Sequence, residues 1–173
     1  MKEYSWLYDT DPDNLCRFSL GYCSHSPLLC IGVNPSTASP EKLDPTIQSV
    51  ARIAKNNSYN GWIMINLYPQ RSTNPNEMHQ QLNDVIYQQN LYIIKSILSK
   101  YDISEIWAAW GTLITKRTYL SKCLSDIYSI TSDYNWITFG STSKNGHPHH
   151  PLYLNSQASK TSFNIKEYLA SLT

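Results

Sequence analysis

The chain has 173 residues, 41% of them apolar, which suits one globular domain over residues 1–173 and excludes a disordered chain. Its formal net charge of +1 argues against a protein that grips a long stretch of nucleic-acid backbone, because such proteins carry a basic excess. No apolar run approaches the ~20 residues of a membrane span, and the start Met1-Lys2-Glu3-Tyr4-Ser5-Trp6 lacks the apolar stretch of a signal peptide, so a cytoplasmic protein with no membrane partner is expected.

In chain order, residues 1–15 are polar and aromatic, with a turn at Asp9-Thr10-Asp11-Pro12-Asp13-Asn14. Residues 16–23 alternate Phe18, Leu20 and Tyr22 on one face, the period of a half-buried edge strand. Pro27–Val33 is a continuous apolar run, as a buried strand would be. Asp44-Pro45 opens a helix with an acidic cap and proline in the first turn, and Ile47, Val50, Ala51, Ile53 and Ala54 share its apolar face. Trp62–Leu67 is a second buried strand. A polar loop over 68–75 leads to a long helix with the stripe Leu82, Ile86, Ile93, Ile94, Ile97 and Leu98. Glu105–Trp110 is a third strand, and a helix from about Leu113 to Tyr128 carries Leu120, Cys123, Leu124 and Ile127. Asn135–Phe139 is a fourth strand, and a last helix begins near Phe163. Cys16, Cys23, Cys30 and Cys123 form no C-x-x-C pair, so they read as reduced, buried thiols rather than metal ligands.

Strands alternating with helices predict an α/β fold in three layers, α/β/α. The sheet is expected to be mainly parallel and four-stranded, with one early edge strand. Ligands of such sheets bind beyond the carboxyl ends of the strands, so the segments that follow each strand are the candidate site. After the first comes Gly32-Val33-Asn34-Pro35-Ser36-Thr37: glycine permits close approach, Asn34 offers a donor and an acceptor, and Ser36 and Thr37 add hydroxyls and backbone N–H groups. The competing reading is an Asn-Pro turn that satisfies its own backbone. After the second come Asn66, a lone amide on an apolar strand that needs a partner, then Tyr68 and Arg71. Asn66 can tie two loops together, and Arg71 can pair with a phosphate, with Glu41 or with Asp44. After the third, Trp110-Gly111 places an aromatic ring that serves either a base or the core. After the fourth, Lys144-Asn145-Gly146-His147-Pro148-His149-His150-Pro151-Leu152-Tyr153-Leu154 holds three of the five histidines within four residues. Flanking prolines stiffen that loop. With no Glu or Cys at ligand spacing, metal is the minority reading, and the pattern calls for no cofactor. Ser36 lacks the G-x-S-x-G setting of a nucleophile.

These segments, Arg17-Phe18-Ser19-Leu20, Ile31–Ala38, Asp44–Ile47, Asn66-Leu67 with Arg71–Thr73, Trp110-Gly111 and Gly146–Leu154, resemble a bacterial and phage family of unknown function marked by N-P-S-T-A and G-H-P-x-H-P-L-Y-L. More distantly, their order resembles the uracil-DNA glycosylase superfamily. That resemblance implies a glycosylase-like fold. It also implies that Asn34 positions an attacking water, as in the mismatch-specific branch, that Asn66 reads a base edge and that His147 faces the base carbonyl. Leu152 or Tyr153 would fill the gap left by a flipped base. The first loop carries no acidic residue, where the more active branches carry Asp, and His149-His150-Pro151 departs from the superfamily's last motif.

Three functions follow as expectations. One is an enzyme that hydrolyses an N-glycosidic bond, with Asn34 and His147 as catalytic residues. Arg17, Gly32, Pro35, Ser36, Thr37, Asn66, Tyr68, Arg71, Trp110, His149, His150 and Tyr153 would bind its nucleotide or nucleobase ligand. Another is a non-catalytic protein that recognises or sequesters a free or cyclic nucleotide in the same pocket, for example a phage counter-defence factor. In it, Arg17, Arg71 and the N–H groups near Ser36 and Thr37 hold phosphate. A protein–protein module anchored by its many tyrosines and tryptophans ranks last.

Overall fold

The structure is a computed structural model that describes residues 3–172. Met1 and Lys2, part of the N-terminal stretch read above, and Thr173 lie outside the described residues. Seven strands form one sheet: β1 (Ser5–Thr10), β2 (Arg17–Cys23), β3 (Leu28–Gly32), β4 (Gly61–Asn66), β5 (Glu105–Ala108), β6 (Asn135–Phe139) and β7 (Lys160–Ser162). Their spatial order is β1-β2-β4-β3-β5-β6-β7. The four central strands β4, β3, β5 and β6 are parallel, while β1, β2 and β7 run antiparallel to their neighbours.

The helices are α1 (Pro45–Asn56), α2 (Asp84–Lys100), α3 (Tyr119–Thr131) and α4 (Ile165–Ser171). They cover the two sheet faces unequally. Ile47, Val50, Ile53 and Ala54 of α1 pack on Leu20, Leu28, Cys30, Met64 and Trp107. On the opposite face, Ile94 and Ile97 of α2, Leu120, Cys123 and Leu124 of α3, and Ile165 and Tyr168 of α4 pack on Ile31, Ile63, Ile65 and Ile106. Asp44 caps α1, its Oδ1 accepting from Ile47 N at 2.9 Å, with Pro45 in the first turn. Among the described residues no helix is long and apolar enough to cross a membrane.

The four parallel strands stand where the apolar runs put them, but the flanks differ from expectation. The edge strand is β1, from a segment read only as polar and aromatic. β2 is interior, paired to β1 on one side and β4 on the other, so Arg17 and Ser19 are buried along with Phe18 and Leu20. β7 was not expected at all; its three residues are exposed and owe their strand form to pairing with β6. The helix placed from Leu113 to Tyr128 is split. Gly111–Lys116 is a 3₁₀ segment, Arg117 is extended, and α3 starts at Tyr119. Arg117 enforces the break by donating to the carbonyls of Asn76, Met78 and His79. All four cysteines are free and buried, and burial pushes the Cys16 thiol up to about 11 and Cys30 well above 9.0, so neither supplies a thiolate.

Candidate functional site

The parallel strands β4-β3-β5-β6 leave β3 as the strand from which the chain departs to one side and later returns on the other. Loops leaving β3 and β5 therefore diverge and open a crevice at the carboxyl edge. Two adjoining clefts occupy it. The first, of about 320 Å³, is lined by Arg17, Gly32, Asn34, Pro35, Ser36, Thr37, the first turn of α1, Met64, Asn66 and His150. The second, of about 470 Å³, is lined by Trp110, Gly111, His147, His149, His150 and Tyr153. Thr73, Pro75, Leu113, His150 and Leu152 border both.

Asn66 lies on the floor of the first cleft. It is the last residue of β4, in register with Gly32 of β3, and only 1% exposed. Its backbone carbonyl accepts from Asn90 Nδ2 at 2.9 Å, which ties it to α2. Neither Oδ1 nor Nδ2 of its side chain has a protein partner. A buried amide in that state costs about 1–3 kcal/mol unless something outside the protein satisfies it. Glycine at 32 makes room for it: a Cβ there would sit 2.9 Å from Asn66 Oδ1 and 2.7 Å from Met64 Cε.

Asn34 is held the opposite way. Its Nδ2 donates to the carbonyls of Pro35 (3.1 Å), Gln70 (3.4 Å) and Ser72 (3.0 Å), so the orientation of the amide is set and Oδ1 is presented as an acceptor. Arg71 backs the same loop by donating to Ser36 O at 2.6 Å and Ala38 O at 3.3 Å. The loop is thus both a self-satisfied turn and a wall of the cleft.

The histidines divide by role. His150 Nδ1 accepts from Leu152 N at 3.2 Å. Burial lowers its pKa below 6.5, against the opposing pull of Asp44. We therefore assign the neutral ring with its proton on Nε2. His147 is buried, and its Nδ1 lies 2.8 Å from the Tyr168 hydroxyl, which accepts from Trp110 Nε1 at 2.9 Å. Tyr168, which accepts from Trp110, has its hydroxyl hydrogen to give to His147 Nδ1, so Nε2 is the ring edge of His147 with no protein partner. Tyr168 comes from α4, and no local motif marked it.

Of the residues singled out in the sequence, Arg17, Gly32, Asn34, Pro35, Ser36, Thr37 and Asn66 meet in the first cleft. Trp110, His147, His149 and Tyr153 meet in the second, with His150 between them. Two do not line either cleft. Tyr68 turns to the α2 side of the sheet, fully buried, where its hydroxyl bonds His79 Nδ1 and accepts from Asn83 N. Arg71 is a brace, and it pairs with neither Glu41 nor Asp44 among the described residues. Trp110 is fully buried with edge contacts to Trp136 and Phe163, so it walls the second cleft instead of presenting an open face. Asp44, read as a helix cap and as a candidate partner of Arg71, also lines the first cleft. Among the described residues, no three His, Cys, Asp or Glu side chains converge as metal ligands would.

These features define an α/β protein with a polar cleft at the carboxyl edge of its parallel strands. Residues 17–152 match the family described as "Protein of unknown function (DUF1643)", and the chain belongs to that family. No curated protein and no solved structure matches it.

Proposed function

We propose that this protein recognises a nucleobase in the first cleft, in the manner of the uracil-DNA glycosylase-like fold its motifs resemble. The observation that carries the reading is Asn66. A primary carboxamide with both atoms buried and unpartnered is the complement of an adjacent N–H and C=O pair, the edge a pyrimidine or oxopurine presents. Its place at the end of a parallel strand, opposite a glycine that permits close approach, suits a flat ligand edge.

Chemistry at the site is hydrolysis of the N-glycosidic bond. Asn34 Oδ1, fixed by the three carbonyls that hold its Nδ2, accepts from the attacking water, and His147, which lines the adjoining cleft beyond His150, stabilises charge on the departing base where the ligand spans both clefts. The protein is incubated with single-stranded and duplex oligonucleotides and nucleosides carrying uracil, thymine or hypoxanthine, and free base is measured by chromatography. Release of base that Asn34→Ala lowers at least a hundredfold, with the thermal midpoint retained, supports the assignment. Unchanged turnover in that variant removes Asn34 from it.

One observation favours the alternative, binding without chemistry. Among the described residues lining the first cleft, the sole carboxylate is Asp44, whose Oδ1 is engaged as the cap of α1. The water is therefore oriented without a free general base beside it. Stoichiometric binding in calorimetry with the nucleotide recovered intact favours the binder.

A further inference from the structure

Arg17 lines the first cleft at 2% exposure, and Arg71 stands behind its wall. Neither has a carboxylate partner: the ion pairs among the described residues are Lys122–Asp126 and Lys160–Glu105. Both guanidiniums instead converge on one backbone oxygen, Arg17 Nη1 donating to Ala38 O at 3.2 Å and Arg71 Nη1 at 3.3 Å. The Nε–H of each is buried with no partner. Burial, with the neighbouring Arg71 charge adding to it, lowers Arg17 to about 10. Asp44 acts favourably on Arg17 but is no ion-pair partner to it. Arg17 is thus a desolvated cation that shares its neutral acceptor with a half-buried second cation, Arg71, whose other acceptors, Ser36 O and the Tyr8 hydroxyl, are neutral too, and it lacks the counter-charge that a buried charge normally requires. The first turn of α1, with its positive dipole end, opens on the same cleft through Pro45, Thr46 and Ile47; Asp44 takes the Ile47 N–H and Pro45 has none, so the Thr46 N–H is the donor that turn offers.

We propose that the first cleft seats a phosphoryl group between Arg17 and the first turn of α1, so that its ligand is a nucleoside phosphate and not a free base or nucleoside. The proposal rests on the nucleobase reading of the same cleft. Arg71 fixes the Ser36–Ala38 segment beside the seat and adds positive potential without touching the ligand. The phosphate of a free nucleotide and that of a strand share this chemistry, and their sources separate experimentally.

The test is calorimetry of the whole chain with inorganic phosphate, the common nucleosides, their 5′-monophosphates and single-stranded trinucleotides. The expected result is that inorganic phosphate binds alone and that the matching monophosphate binds at least tenfold tighter than its nucleoside. In Arg17→Gln the ratio of monophosphate to nucleoside affinity falls below twofold, and Arg17→Lys recovers part of it. Trinucleotides that bind tighter still, in an Arg17-dependent way, support the seat and assign its phosphate to a strand. Equal affinity of nucleoside and monophosphate overturns the anion seat and leaves the base reading standing. Phosphate binding with no nucleoside binding overturns the base reading instead. Absence of binding by every probe overturns both. Where Arg17→Gln fails to fold, the wild-type series of phosphate, nucleoside and monophosphate decides alone.

Discussion

Asn66 is anchored through its backbone and left open at its side chain, an arrangement that makes binding and stability separable. Asn66→Ala removes the two hydrogen bonds offered to a base, which lowers affinity by about ten- to a hundredfold. It also removes an unpartnered buried amide, so the thermal midpoint stays within a few degrees or rises. Parallel titration and melting of the variant check both; a collapse of the midpoint would show that Asn66 holds the fold. His150 supports a pH prediction. Burial keeps its folded pKa below 6.5, so in the window below pH 6.5 the unfolded chain binds the proton more readily. Its contribution to stability is therefore full above that value and is lost as pH falls through the folded pKa. His150→Asn retains an acceptor for Leu152 N but does not titrate, and its midpoint falls less steeply from pH 7 to 5 than the wild type's. Identical slopes would remove His150 as the group responsible. The place of Asn66 on the cleft was legible because it ends a parallel strand, and the residues that end such strands line the carboxyl edge. Tyr68 was misplaced because the two-residue alternation that puts Ile63, Ile65 and Leu67 on the α2 side breaks just after β4, and Tyr68 turns to that same side instead of the cleft. Tyr168 could not be found, since its tie to His147 spans 21 positions and belongs to tertiary packing alone.

At the scale of elements, α1 was legible from its cap and period, and it reaches the site through that cap. Asp44→Ala removes the Ile47 N–H acceptor at a cost of about 1 kcal/mol. For a chain of this size that lowers the thermal midpoint by about 2–4 °C. Asp44→Asn retains the cap and restores most of the loss. Thermal melts of the pair distinguish capping from charge: if both variants fall equally, the carboxylate matters for its charge rather than as a cap. β3, β4 and β6 were legible because strands buried on both faces are continuous apolar runs. β1 and β7 were not, because an exposed edge strand has no buried face to impose a pattern, and a three-residue strand exists only through its neighbour. The split before α3 was hidden for another reason. Leu113 and Leu120 lie seven positions apart, two helical turns, so a helical period bridges the polar Thr115–Thr118, and what breaks the helix is Arg117 reaching three carbonyls about 40 positions away.

For the whole molecule, charge and topology point the same way. The parallel strands converge on one crevice, and the net charge of +1 leaves no general basic excess to hold a long polyanion. Binding should therefore draw on the local seat at Arg17 and the shape of the cleft rather than on a wide field. The consequence is measurable with a single-stranded oligonucleotide. Each phosphate neutralised on a single strand contributes a slope of about −0.7 to the logarithm of affinity against the logarithm of salt concentration. One seated phosphate gives a total slope near that value, and Arg17→Gln brings it close to zero. A protein that tracks a strand through many Lys and Arg contacts gives a slope several times steeper. Affinity measured between about 50 and 200 mM salt separates the two cases. A steep slope that survives Arg17→Gln would place the nucleic-acid contacts outside the cleft and undo the link between this site and a single phosphate.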